Sequence, residues 1–124
     1  MLKTGSGSIV NIGSISGFVA NNPQYQVACN SSKATIHQMT TTLAFEYAGR
    51  GIRVNALAPG YVISDMTKGG IANVDWNRIW TDNTPIGRFG LPEEMANCVL
   101  FLTSDAASYV TGATLTADGG YLTH

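Results

Sequence analysis

Two short apolar runs separated by a long helical period do most to limit what this chain can become. Residues 8–12 (SIVNI) open after Gly5-Ser6-Gly7 and close at Gly13; an apolar run this short, held between glycines, suits a strand covered on both faces of a parallel sheet. Residues 52–58 (IRVNALA) form a second such run and end in Pro59-Gly60, a pair that stops a strand. From about residue 25 to 47 the side chains of Ile36, Met39, Leu43 and Tyr47 recur at helical spacing, and Gly49 and Gly51 supply the stop. Strand, helix and strand in that order predict a βαβ unit with a right-handed crossover, and so two parallel strands.

The remainder extends the same plan. Residues 60–90 are irregular, punctuated by Gly69-Gly70, Pro85 and Gly87, with a short helix expected over 75–80. Pro92 suits a first helical turn, and Glu93 and Glu94 suit the positive end of a helix; a helix over 92–103 follows, with Ala96, Val99, Leu100 and Thr103 expected to face inward. Residues 113–117 read as a third strand ending in Asp118-Gly119-Gly120. The fold class predicted is α/β, with a parallel sheet that is only half of a doubly wound one. With 124 residues, 44% of them hydrophobic, the chain can bury one modest core, so residues 1–124 are read as a single partial domain. So small a sheet leaves an edge and apolar surface for another segment or subunit to cover.

Several classes of function are disfavoured. The seven Lys and Arg are scattered and the formal net charge is -1, so no basic face is offered to nucleic acid. No apolar run approaches the roughly 20 residues of a membrane span. Cys29 and Cys98 form neither a ligand cluster nor a disulfide framework, and no signal peptide precedes them. No metal site and a reduced, cytoplasmic setting are expected.

Four motifs occur in order: GSIVNIGSISG at 7–17, CNSSKA at 29–34, RVNALAPGYV at 53–62 and TGATLTADGG at 111–120. Together they resemble the short-chain dehydrogenase/reductase family over essentially the whole chain, from the fifth strand of the family's sheet to the seventh, which implies an α/β fold that is the C-terminal half of a Rossmann-like, doubly wound parallel sheet. Asn-Ile-Gly-Ser at 11–14, Asn-x-Pro-Gln at 21–24 and Ala-Gly-Arg-Gly at 48–51 look most like its sugar-alcohol dehydrogenases. The resemblance implies hydride transfer between NAD or NADP and a secondary alcohol or ketone, possessed of a polyol or sugar skeleton, by a homo-oligomeric enzyme.

It also implies a site. Ser14 takes the place of the family serine that holds the substrate oxygen, and a hydroxyl at a strand's C-terminal end can donate to a carbonyl as it gains charge. The family signature is Tyr-x-x-x-Lys, in which the ammonium lowers the phenol's pKa across one helical turn. Lys33 matches; the tyrosine position holds Cys29. A thiol titrates near neutrality but ends well short of a phenol oxygen. Tyr25 lies eight residues before Lys33, about 80° around a helix and roughly 12 Å along it, and cannot replace the pair. His37 lies equally far from Cys29 and is expected on a solvated helix face. Pro59, Gly60, Val62 and Ser64 match the turn that cups the nicotinamide, which Lys33 also contacts in the family, while Trp76 and Trp80 either close over substrate or pack. No G-x-G-x-x-G loop is present, and Met1-Leu2-Lys3 resembles the end of a family helix. The expectation is that the dinucleotide-binding half and the family's catalytic asparagine lie outside the chain. The alternative is an inactive binding or oligomerisation module.

Overall fold

The computed structural model describes residues 1–124. Its sheet contains three parallel strands, β1 Gly7–Ile12, β2 Ile52–Pro59 and β3 Thr114–Ala117, side by side in that order. Register runs from Gly7↔Ile52 to Ile12↔Leu57 and from Ala56↔Thr114 to Pro59↔Ala117, so the strands finish together at one end. All three expected strands are present and parallel, within a residue of their expected bounds, and the whole is the expected α/β architecture. β1 is a free edge.

β2 lies between two neighbours and is the most enclosed element, with Val54, Ala56 and Ala58 wholly buried. Asn55 is equally enclosed but satisfied: its Nδ2 donates to the Val110 carbonyl at 2.9 Å and its Oδ1 accepts from Ala113 N–H at 3.1 Å. A buried amide paired at both ends avoids the desolvation penalty, and this one ties β2 to the turn that enters β3.

Helix α1, Val27–Tyr47, makes the return from β1 to β2. Ala44 packs on Ile52 and Val54, with Ile9, Leu43 and Tyr47 around them. The buried side chains of α1 are His37, Thr40 and Ala44, whereas Met39 is 43% exposed. The apolar period therefore marks the helix but not the middle of its buried face. Alanine at 44 lets the backbone approach the sheet, and the Thr40 hydroxyl is satisfied inside, accepting from Asn11 Nδ2 at 2.9 Å and donating to the Ile36 carbonyl at 2.8 Å.

Three further helices follow: α2 Lys68–Ala72, α3 Val74–Asp82 and α4 Pro92–Thr103. α3 covers the expected 75–80 and starts where Asn73 Oδ1 accepts the Asp75 and Trp76 N–H groups, a local cap. α2 is an element that Gly69-Gly70 concealed; Gly70 lacks a side chain where the Trp80 ring packs. α4 begins at Pro92 as expected, but its inward face differs. Leu102 is buried and Met95, Cys98 and Val99 are half-buried, while Leu100 is 66% exposed. The stripe 95, 98, 99 and 102 keeps the three- and four-residue spacing of one helix face, which Leu100 breaks. No helix is long and apolar enough to cross a membrane.

Candidate functional site

The parallel register brings the ends of β1 and β2 to one edge of the sheet, where parallel sheets bind ligands. Ser14 follows β1 in extended conformation (φ -173°) and caps the 3-10 turn Ile15–Gly17. Its Oγ accepts from Ser16 N–H at 3.1 Å and donates to Ser16 Oγ at 3.1 Å. Ser16 Oγ also accepts from Gln26 Nε2 at 3.1 Å, and the same amide donates to Asn21 Oδ1 at 2.7 Å. The Ser14 proton thus rests on a neighbouring hydroxyl, from which it can turn to an incoming oxygen.

Cys29 and Lys33 occupy the first turns of α1, four residues apart and so on one face. Lys33 is half-buried, and its Nζ donates to the Ile12 carbonyl at 2.9 Å. That bond sets the ammonium beside the end of β1, two residues from Ser14. Cys29 is exposed, with a free thiol. Lys33 and Ser14 are therefore brought to one strand end.

Beyond β2, Gly60 N–H donates to the Ala117 carbonyl at 3.0 Å. A Cβ on Gly60 would stand 2.7 Å from Asp118 Cα, so the close approach of β3 requires glycine here. Pro59 is the last residue of β2. Val62 forms a parallel bridge with Gly90, made by Gly90 N–H to the Tyr61 carbonyl and Ile63 N–H to the Gly90 carbonyl, each 2.9 Å. In a parallel pairing this turns Val62's own amide the other way. Its carbonyl accepts from Thr67 Oγ1 at 2.6 Å, and its N–H has no acceptor within the chain. Ser64 is exposed, its N–H donating to Thr67 Oγ1 at 3.0 Å and its hydroxyl lying 3.2 Å from the same oxygen.

A family model described as enoyl-(acyl carrier protein) reductase matches residues 1–122. The chain belongs to the short-chain dehydrogenase/reductase family. Galactitol 2-dehydrogenase (L-tagatose-forming) of Cereibacter sphaeroides is 53% identical over 121 residues, which are 98% of this chain and 48% of that protein. The crystal structure of gox2181 superposes with a TM-score of 0.98 at 46% identity, covering 100% of this chain and 48% of that one. A gluconate 5-dehydrogenase from Burkholderia cenocepacia J2315, in complex with NADP and tartrate, gives a TM-score of 0.94 at 28% identity over 99% of this chain and 48% of that one. The chain spans about half the length of the curated relatives it matches.

Within this family frame, the nicotinamide end of a dinucleotide fits the residues present: an unengaged Val62 N–H, the Lys33 ammonium and a turn without a side chain at Gly60 stand at neighbouring strand ends. No comparable cradle for pyrophosphate occurs in residues 1–124, which lack a glycine-rich loop between strand and helix.

Two parts of the site escaped the sequence. His37 is not on a solvated face; it is 8% exposed, stacked on Phe18 with ring centroids 4.3 Å apart. Burial, and then the Lys33 charge, lower its pKa. The signal was present in the four-residue steps Cys29, Lys33, His37, which put the imidazole on the site face of α1. The second part is a set of amides around Tyr61, whose hydroxyl accepts from Gln24 Nε2 at 2.9 Å and Asn21 Nδ2 at 3.2 Å. Trp80 stacks on Tyr61 at 4.3 Å, and its Nε1 donates to Gln24 Oε1 at 3.1 Å. Of the two roles open to Trp80, packing is the one found.

Proposed function

We propose that these residues form the substrate half of an NAD(P)-dependent oxidoreductase acting on a secondary alcohol or ketone of the polyol or sugar class. The observation that carries the reading is the placement of the Ser14 hydroxyl, the Lys33 ammonium and the open Val62 N–H at the adjoining ends of β1 and β2. When bound, the nicotinamide supplies or accepts the hydride. Ser14 donates a hydrogen bond to the substrate oxygen, stabilising the negative charge that a carbonyl develops on reduction. Lys33 lends positive charge beside that oxygen, and Val62 N–H holds an acceptor of the ring's substituent. The neighbouring amides of Asn21, Gln24 and Gln26 suit a substrate with many hydroxyls, in keeping with the galactitol and gluconate names of relatives. A homo-oligomer in a cytoplasmic setting accompanies this proposal.

Cys29 favours a second reading, a binding or oligomerisation module without turnover, because its thiol is too short to reach the oxygen that a phenol would serve. An assay with NAD and NADP against hexitols and ketohexoses, run on a chimera that supplies the glycine loop of a relative, separates the two. Turnover above background supports the oxidoreductase; saturable binding of a polyol with no turnover, including in Cys29→Tyr, supports the module.

A further inference from the structure

We infer that His37 is a positioning residue, whose neutral imidazole seats the main chain at Ser14 and thereby sets where the Ser14 hydroxyl stands against a bound carbonyl. The inference rests on the reading of Ser14 as the substrate's hydrogen-bond donor. Ser14 N–H donates to His37 Nε2 across a long 3.4 Å. The ring lies between the glycines that flank Ser14: a Cβ on Gly17 would be 2.6 Å from Cε1 and 2.8 Å from Nδ1, and one on Gly13 would overlap Nε2. Phe18 covers the ring with planes 28° apart. The β1 exit thus wraps the imidazole from residue 13 to residue 18, and the only polar contact it makes there is with the Ser14 amide.

Only one form of the ring fits. With Nε2 as acceptor, the single proton of the neutral imidazole sits on Nδ1, which is buried without a partner. The other tautomer, or the imidazolium, would point an Nε2–H at the Ser14 N–H, donor against donor. Lys33, one turn earlier on α1, is the charged group that faces the ring. β1 and residues 13–18 contain no ionisable side chain, and the single charged residue of β2, Arg53, is engaged elsewhere, with the Leu102 and Ser104 carbonyls. Protonating His37 and seating Ser14 therefore exclude one another. Because a shift of about 1 Å in a reacting geometry costs on the order of 10²-fold in rate, a ring that fixes the serine's height matters to turnover without touching substrate.

The test is nitrogen-15 NMR on the 124-residue chain, combined with kinetics. The Ser14 amide proton is expected to move with pH through the same midpoint as the His37 ring nitrogens, with Nδ1 protonated above it. His37→Gln, which keeps an acceptor that does not titrate, should hold the Ser14 amide shift and abolish its pH dependence; His37→Leu should lose the shift. Should the leucine variant fail to fold, the titration of the unsubstituted chain and the glutamine variant decide alone. A Ser14 amide indifferent to the His37 midpoint overturns the inference. In a Cys29→Tyr chimera that supplies the glycine loop of a relative, His37→Leu should lower kcat about 10-fold to 10²-fold with KM little changed, and His37→Gln should recover most of it. Coupling without any change in kcat would also overturn the positioning role. Absence of turnover in the Cys29→Tyr chimera that keeps His37, with the amide coupling intact, would instead sink the oxidoreductase reading, leaving the Ser14 seat established.

Discussion

Lys33 Nζ donates to the carbonyl oxygen of Ile12 at 2.9 Å, which holds a positive charge at the exit of β1, one helical turn from residue 29. A phenol at that position would regain the neighbour that lowers its pKa and would reach toward Ser14 and the substrate oxygen. In a full-length context, such as a chimera that supplies the glycine loop of a relative, Cys29→Tyr should therefore raise turnover about 10²-fold to 10⁴-fold, the range of a positioned acid/base group. Cys29→Phe restores bulk without a proton and should leave turnover low at an unchanged melting temperature. Recovery with phenylalanine would assign the effect to packing.

Gly60 should tolerate no side chain. Its Cβ would stand 2.7 Å from Asp118 Cα, a backbone atom that cannot swing aside, so Gly60→Ala should cost about 1–3 kcal/mol as overpacking does. Gly49→Ala, with nothing within 4 Å of the added carbon, should change stability by less than about 0.5 kcal/mol. Urea midpoints of the two variants measure the contrast; equal midpoints would show that β3 can move away from the turn.

Element order and strand direction were legible because apolar runs, glycine stops and Pro92 are local signals. The faces of the helices were not. Leu100 has the right spacing from Ala96 to look inward, yet it is exposed while Leu102 is buried, because which stripe faces the sheet is settled by packing across β1 and β2. In α1 the buried face carries His37 and Thr40, polar side chains whose partners, Ser14 N–H and Asn11, lie outside the helix. Ser14, Lys33 and the 59–64 turn are singled out by family motif alone, whereas the free amide of Val62 needed the Gly90 bridge, which no short-range pattern announces.

The start of α4 should be acid-sensitive. Glu94 accepts from Arg88 at 2.7 and 2.9 Å and from Leu91 N–H at 2.8 Å, and these bonds, the Arg88 one first, hold its carboxyl at about 2 against an ordinary 4.5. As pH falls, the unfolded chain takes up the proton first. The stabilisation is thus complete above the ordinary value, and is lost as pH drops through 4.5 toward 2. Glu94→Gln should lower the melting temperature at pH 7 and flatten its fall between pH 5 and 3. A parallel fall in both proteins would locate the acid response elsewhere.

The chain alone should associate. Val27 and Phe45 of α1 are 81% and 89% exposed, Leu100 and Phe101 of α4 are 66% and 42% exposed, and β1 offers an unpaired edge. Apolar surface and a bare strand edge together invite self-pairing. Light scattering should report dimers or larger species at micromolar concentration, and Phe45→Glu should reduce them. A strictly monomeric chain with a cooperative melt would count against this expectation.

Dinucleotide binding by the 124 residues alone should be weak. In the proposed reading the contacts available, Val62 N–H, the Lys33 ammonium and the open turn at Gly60, serve the nicotinamide end, whereas most of the charge of NAD or NADP lies in phosphates that need main-chain donors at a helix N-terminus. Calorimetry with either dinucleotide should detect no micromolar site, since that affinity corresponds to about -8 kcal/mol and one neutral amide with one ammonium cannot supply it against the cost of immobilising so long a ligand. Restoring a glycine loop in a chimera should bring binding back, with Lys33→Ala weakening it. Micromolar binding by the unmodified chain would mean that phosphate is held by residues other than those at the β1 and β2 ends, and would move the cofactor site away from Gly60 and Val62.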